Sequence, residues 1–383
     1  MILGIDASNI RRDGGLTYLV ELLRAADPAS FGIRKVVVWG GTATLGRIEE
    51  RSWLEKRCHR FMDGSLSSRA IWQTFVLSRE ARTHCDGLFV PGGLYVGAFR
   101  PFVTISRNML PFEWEEARRY GFSLAALRLL ILRLSQVRTF RRADGLIFLM
   151  AYARNTILPM LGKTRGSIAT IPHGIANEFM CKPREQRPLS EYDSKRRFKV
   201  IYVSTVDAYK HQWLVAEAVA ALQRQGMAIS LDLIGPAYPT SLARLKKVLL
   251  KLDPAGEYIT YRGAVPHKDL RTHYFKADLC LFASSCENMP NILLEGMASG
   301  LPIVCSSRGP MPEVLGQGGV YFDPLDTCDI ERALRQIIES VELRTRLASI
   351  SFSRVQQYSW TRCANETFGF LSDVMRKFKG KSA

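Results

Sequence analysis

Apolar positions in this chain come in two recurring forms. Short runs of Val, Ile, Leu and Phe alternate with longer stretches in which apolar residues return every three or four positions. The first form suits a strand buried on both faces, the second an amphipathic helix. In the first half the runs predict strands over 1–8, 35–40, 87–91, 102–106, 144–150 and 167–171, with a helix over 68–84. In the second half they predict strands over 198–204, 229–234, 258–262, 277–283, 302–306 and 319–322. Helices are predicted there over 211–225, 241–251 and 267–276, and from Pro290 to a stop at Gly300-Leu301-Pro302. From Asp329 the pattern is mostly helical. Strands alternating with helices call for parallel sheets covered on both faces.

The polar stretch Lys182–Arg197, with Pro183 and Pro188, reads as a linker. It divides the chain into an expected N-terminal domain, 1–180, and a C-terminal domain, 181–361. A last helix, about 362–383, is expected to return to the first domain. The basic tail from Arg376 to Lys381 reads as frayed. The expected fold class is α/β, with two Rossmann-like domains whose parallel sheets face each other across a cleft.

In such sheets ligands bind beyond the carboxyl ends of the strands. In the first half, Gly14-Gly15, Gly92-Gly93, Arg107-Asn108 and His173-Gly174 fall there. Paired glycines let backbone approach a ligand closely or make a tight turn. There is no G-x-G-x-x-G, so a dinucleotide fingerprint is not supported. In the second half Lys210 follows a strand end and precedes a helix, a point charge suited to phosphate. Glu287 lies on the loop after the 277–283 run, and Glu295 lies eight positions on, in the following helix. Pro290 suits the first position of that helix. Two acceptor-only carboxylates beside a helix N-terminus fit a ligand carrying both phosphate and hydroxyls.

Composition adds one strong constraint. The hydrophobic fraction of 47% with 23% charged is that of a globular protein, but the net charge of +17 demands an anionic partner. From Arg118 to Arg142 there are seven arginines and no acid, among many leucines. Such a stretch can lie on an anionic membrane surface, or be a buried helix with arginine-tipped ends. At about 100° per residue the arginines scatter round the helix, which argues against one clean lipid face. The eight cysteines show no C-x-x-C pair and no metal-ligand spacing, so they read as small buried residues in a reducing, cytoplasmic compartment. No signal peptide is expected, and no apolar run reaches the roughly 18 residues of a spanning helix. Basic and aromatic residues are not interleaved as nucleic-acid binding would require.

The order of motifs resembles the family-four retaining glycosyltransferases of GT-B fold. It runs Ile171-Pro172-His173-Gly174-Ile175, the 202–212 segment with Lys210, Leu233-Ile234-Gly235 and Tyr261-Arg262-Gly263. Then come Glu287–Glu295 with Gly296–Val304, Glu313-Val314-Leu315 and Gly319–Pro324. The likeness covers the second half well and the first half loosely. It implies transfer of a sugar from a nucleotide-sugar donor to a saccharide or lipid-linked saccharide acceptor, in cell-surface polysaccharide or glycolipid assembly. It implies no cofactor and no metal. The enzyme would lie in the cytoplasm, peripheral on the inner face of the inner membrane.

By matching position, Glu287 would lie near the transferred sugar, Glu295 would hold the ribose hydroxyls and Lys210 the diphosphate. Asn288, Met289, Pro290, Asn291, Ser204, Gly14 and Gly15 would complete the donor side. Arg107, Asn108 and His173 would face the acceptor. The chain departs from the family pattern in three places. Ser204-Thr205 stands where many relatives have Gly-Arg. Glu287-Asn288-Met289-Pro290 replaces Glu-Gly-Phe-Gly, and Arg107-Asn108 stands where many have a histidine. A sugar-nucleotide epimerase or hydrolase of the same fold, or a non-catalytic relative, are the alternatives.

Overall fold

The computed structural model describes residues 1–11 and 13–382. Its strands are β1 (Ile2–Asp6), β2 (Lys35–Trp39), β3 (Leu54–Arg57), β4 (Gly87–Val90), β5 (Phe102–Ser106), β6 (Gly145–Phe148) and β7 (Ser167–Thr170), then β8 (Phe198–Val203), β9 (Ile229–Ile234), β10 (Ile259–Tyr261), β11 (Leu279–Phe282), β12 (Ile303–Ser306) and β13 (Gly319–Phe322). They form two sheets, in the orders β3-β2-β1-β4-β5-β6-β7 and β10-β9-β8-β11-β12-β13. The strands of both sheets pair in parallel. The α/β class and the parallel sheets are therefore as the hydrophobic runs required.

The chain forms two compact units. One holds Met1–Phe112, Leu124–Gly174 and Tyr358–Ala383; the other holds Glu113–Ser123 and Ile175–Gln357. In the first unit β1, β4, β5 and β6 are buried almost throughout. Each fully buried Leu, Ile, Val or Phe there contributes about 1.5–3 kcal/mol. The strand β3 has no counterpart among the sequence expectations. Its residues, Leu54-Glu55-Lys56-Arg57, are mostly charged because it is an edge strand. Glu55 pairs with both Lys35 and Arg57 at 2.5 Å, which blunts the edge.

Several expected helices differ in detail. The 68–84 stretch is helical from Leu66 to His84, but Trp72–Val76 widens into a π turn. The arginine-rich stretch is two helices, Trp114–Arg118 and Leu124–Arg142, broken where Gly121 takes a φ of 59°. The basic tail is not frayed. The helix Trp360–Ser382 carries it to the end of the described residues. Ser372 donates to the Phe31 carbonyl at 2.8 Å, and Lys379 pairs with Asp86 at 2.8 Å. Gly145 lets this helix lie close to β6, since a Cβ there would meet Phe370 at 2.9 Å.

Candidate active site

Strand order locates the crevices. In the second unit β8 leads to β9 and β10 on one side, while β11 leads to β12 and β13 on the other. The order reverses between β8 and β11, and loops leaving their carboxyl ends part there. Lys210 follows β8 and Glu287 follows β11.

These loops are tied together. The backbone N–H of Ser285 donates to the Tyr209 carbonyl at 2.9 Å, and the His211 ring Nε2 meets the Ser285 hydroxyl at 2.8 Å. Tyr202, from β8, donates its hydroxyl to the Lys210 carbonyl at 2.7 Å. The Lys210 side chain is buried and its ammonium makes an ion pair with the Glu287 carboxylate. It also lies 4.9 Å from the Tyr209 ring centre and 5.5 Å from that of Phe282. A charge held on several sides has little conformational freedom left.

His211 is the only non-glycine with positive φ among the described residues, at φ 53° and ψ 30°. The left-handed region costs a residue of this kind about 1 kcal/mol or more. The bend joins the short turn Ala208–Lys210 to the helix Gln212–Arg224. Burial and the charges of Arg119, Arg244 and Arg308 push the His211 pKa down to about 3, with Asp323 opposing. The ring is therefore neutral at ordinary pH. Beside it opens a cavity of 440 Å³ lined by Arg119, Ala208, His211, Trp213, Leu214, Arg244 and Leu325. Arg119 is held by Glu116 at 2.7 and 3.3 Å. Arg244 stacks on Trp213 at 3.9 Å and makes no ion pair among the described residues. The larger concavity of this unit, 1120 Å³, lies at the other end of the sheet, among Lys199, Ser230, Thr260 and Asp278. Those residues sit at the amino-terminal ends or on the edge of the strands, away from the reversal.

Glu295 lies in the second turn of the helix Asn291–Ala298, as expected. Pro290 caps that helix instead of opening it, with φ −83° and ψ 97°. The Glu295 carboxylate is buried. One oxygen meets His267 Nε2 at 3.1 Å and the other accepts from the Tyr274 hydroxyl at 3.4 Å. Burial raises its pKa above the ordinary carboxylate value, and His267 and Tyr274 hold it back. Asn288 and Met289 are buried, and Asn291 is partly exposed. Ser204 is engaged elsewhere: its hydroxyl accepts from Gln212 Nε2 at 2.8 Å.

The first-unit candidates form a separate set. Gly14 and Gly15 do not make a turn between strand and helix; they lie in the first turn of the helix Asp13–Arg24. Arg107 donates to their carbonyls at 2.5 and 3.3 Å and lies 4.9 Å over the Tyr18 ring. Tyr18 packs edge-on against Trp360 at 5.9 Å, and Trp360 stacks on His173 at 5.7 Å. His173 is buried. Asn108 is exposed and accepts from the Leu110 N–H at 3.1 Å, a local turn.

Sequence reasoning missed Arg119, Arg244, Trp213 and His211. Arg244 and Trp213 carry no motif. A left-handed bend at a histidine leaves no trace that a glycine would have left. Arg119 was visible only as one member of the arginine run.

Comparisons with known proteins bear on the fold and on the resemblance read from the motifs. Residues 197–340 match the family model described as glycosyl transferases group 1. The O-antigen chain mannosyltransferase B of Escherichia coli is 25% identical over 225 residues, 56% of this chain and 57% of the relative. The sulfoquinovosyl transferase SQD2 of Arabidopsis thaliana is 27% identical over 128 residues, 31% of this chain and 25% of the relative. The chain thus spans little more than half the length, or less, of these curated relatives. Among solved structures, sucrose-phosphate synthase from Thermosynechococcus elongatus superposes with a TM-score of 0.75 at 15% identity, covering 100% of both chains. HepE of Anabaena, solved with UDP and glucose, gives 0.69 at 16% identity, over 97% of this chain and 100% of that one. The fold is GT-B. The match over residues 197–340 supports the resemblance read from the motifs, to family-four glycosyltransferases.

Proposed function

We propose that this chain transfers a sugar from a nucleotide-sugar donor to an acceptor hydroxyl, with retention at the anomeric carbon. The observation that carries the reading is the Lys210–Glu287 pair across the strand-order reversal of the second unit. An anionic diphosphate would draw Lys210 away from Glu287. The ammonium would then neutralise the charge that grows on the diphosphate as its bond to the sugar breaks. Glu287, released, would accept from sugar hydroxyls and favour the positive charge developing on the ring. Lys210 would do without a metal what a bound metal does elsewhere.

Glu295 would hold the ribose, and this requires His267 to yield one carboxylate oxygen. The His267 side chain is 53% exposed and can swing toward solvent, giving up its edge-on contact with Phe179. Arg244 and Arg119 would take the part of the arginine that Ser204-Thr205 lacks. They bring positive charge to the start of the Gln212–Arg224 helix, whose positive dipole end also favours an anion. Asn288, Met289 and Asn291 would line the sugar. Arg107 and His173 would act on the acceptor side by shaping it. The relatives named above include a mannosyltransferase of O-antigen chains, which supports a saccharide or lipid-linked saccharide acceptor in cell-surface assembly. A cytoplasmic place at the inner membrane follows from such an acceptor.

The test begins with UDP-, GDP-, ADP- and dTDP-sugars, screened by thermal shift and then by turnover with saccharide acceptors. One donor is expected to raise the melting temperature, and an α-linked donor should give an α-linked product by NMR. Glu287→Gln should lower turnover about 10²–10³-fold while donor affinity changes only a few-fold. Unchanged turnover in that variant defeats the assignment. Donor consumed or epimerised without acceptor would point to the epimerase or hydrolase.

A further inference from the structure

The helix Leu124–Arg142 belongs to the first unit, and much of it faces solvent. Leu124 is 87% exposed, Leu127 53%, Leu130 47%, Ile131 56% and Leu134 63%. At about 100° per residue these five fall within an arc of about 120°, one stripe along almost three turns. Phe122, just ahead of the helix, is fully exposed. The inner side instead buries Gln136, Thr139 and Phe140. One exposed leucine is ordinary, but a continuous row of five large apolar side chains marks an interaction surface.

The arginines are placed differently from the leucines. Arg128 and Arg133 fall at opposite margins of the stripe, and Arg138 and Arg141 are exposed toward its far end. Arg133 reaches the Met160 sulfur at 3.7 Å, and Met160 is itself partly exposed. From Ala117 to Ala143 the chain contains no Asp or Glu.

We infer that this face docks on an anionic lipid surface. The leucines enter the boundary between headgroups and acyl chains, and the marginal arginines reach lipid phosphates. Charge selects this occupant. A second copy would set Arg128, Arg133, Arg138 and Arg141 against their own counterparts, with no acid on the helix to relieve them. A membrane leaflet supplies phosphate acceptors along both margins and an apolar layer between them. The helix lies in the membrane plane, since no helix among the described residues is long and apolar enough to cross a bilayer. The inference does not depend on the transfer reading.

The experiment is co-sedimentation of the full chain with vesicles of phosphatidylglycerol and phosphatidylcholine, against vesicles of phosphatidylcholine alone. Binding to the anionic vesicles is expected to be at least tenfold tighter, and to weaken at 0.5 M salt as screening shortens the reach of the arginines. The double variant Leu127→Glu/Leu134→Glu should lose binding more than tenfold at an unchanged melting temperature, because both positions are already exposed. Arg128→Ala/Arg138→Ala should lose it several-fold and show a weaker salt dependence. Equal binding to both vesicle types, or full binding by the leucine variant, overturns the inference. So does a mass doubled in light scattering, and restored to one chain by the leucine variant, without vesicle binding.

Discussion

Each sheet reverses its strand order once, and the two reversals hold different chemistry. In the second unit a lysine and a glutamate meet across β8 and β11, with Glu295 buried on the helix that follows. In the first unit the reversal lies between β1 and β4. There Gly14 and Gly15 offer carbonyls, which Arg107 already occupies, and the neighbours are a stack of Tyr18, Trp360 and His173. One reversal holds a lysine–glutamate ion pair between its two loops. The other uses its charge to fasten the start of a helix. Topology makes a crevice in both; side chains decide whether the crevice performs chemistry or holds the fold.

Substitutions can break that contrast. The largest effect is expected from Lys210→Met. It leaves Glu287 without its cation in a poorly solvated place, which should cost about 3 kcal/mol of stability in denaturant unfolding. Donor affinity, measured by calorimetry, should fall more than tenfold. Unchanged donor affinity would remove Lys210 from the binding site.

Arg107→Met comes next. Losing a charged donor to two carbonyls should cost about 2 kcal/mol of stability, with donor affinity unchanged. A fall in turnover without loss of stability would make the first reversal chemical after all, and the contrast would fail.

His211 gives a pH signature of similar size. Its pKa is about 6.5 unfolded and about 3 folded, so protonation is disfavoured only in the folded state. The resulting stability is present above pH 6.5 and is lost as pH falls through the window toward 3. At pH 5 the loss relative to pH 7.5 should be about 2 kcal/mol. His211→Asn, which tolerates the left-handed bend, should flatten that part of the stability profile. An equally steep profile in the variant would place the titrating group elsewhere.

The smallest effect is expected from Ser204→Ala. It removes one hydrogen bond from Gln212, about 1 kcal/mol, and should leave donor affinity within twofold. A large affinity loss would return Ser204 to the donor site.

Much of the second unit was legible in the chain. β9, β13 and the helix His267–Lys276 stand where the apolar pattern set them, because buried parallel strands are short apolar runs and amphipathic helices keep a period near 3.6. The spacing of Glu287 and Glu295 across a loop-to-helix junction was likewise local information. β3 was illegible for a physical reason: an edge strand buries little, so its sequence carries charges and no apolar run.

What the sequence alone determined is the set of groups: two acids eight positions apart, a lysine before a helix, and an arginine run without an acid. Tertiary structure decided their partners. Lys210 and Glu287 lie 77 positions apart and meet only because β8 and β11 are parallel neighbours, with their carboxyl ends at the same edge. Arg107 meets Gly14 and Gly15 across 93 and 92 positions and is thereby committed to backbone carbonyls. On the helix wheel the arginines of 118–142 scattered without a face. The leucines supplied the face once packing had shown which side of the helix was left to solvent. Periodicity is a property of neighbours along the chain, whereas exposure and pairing depend on which distant segments the fold places against them.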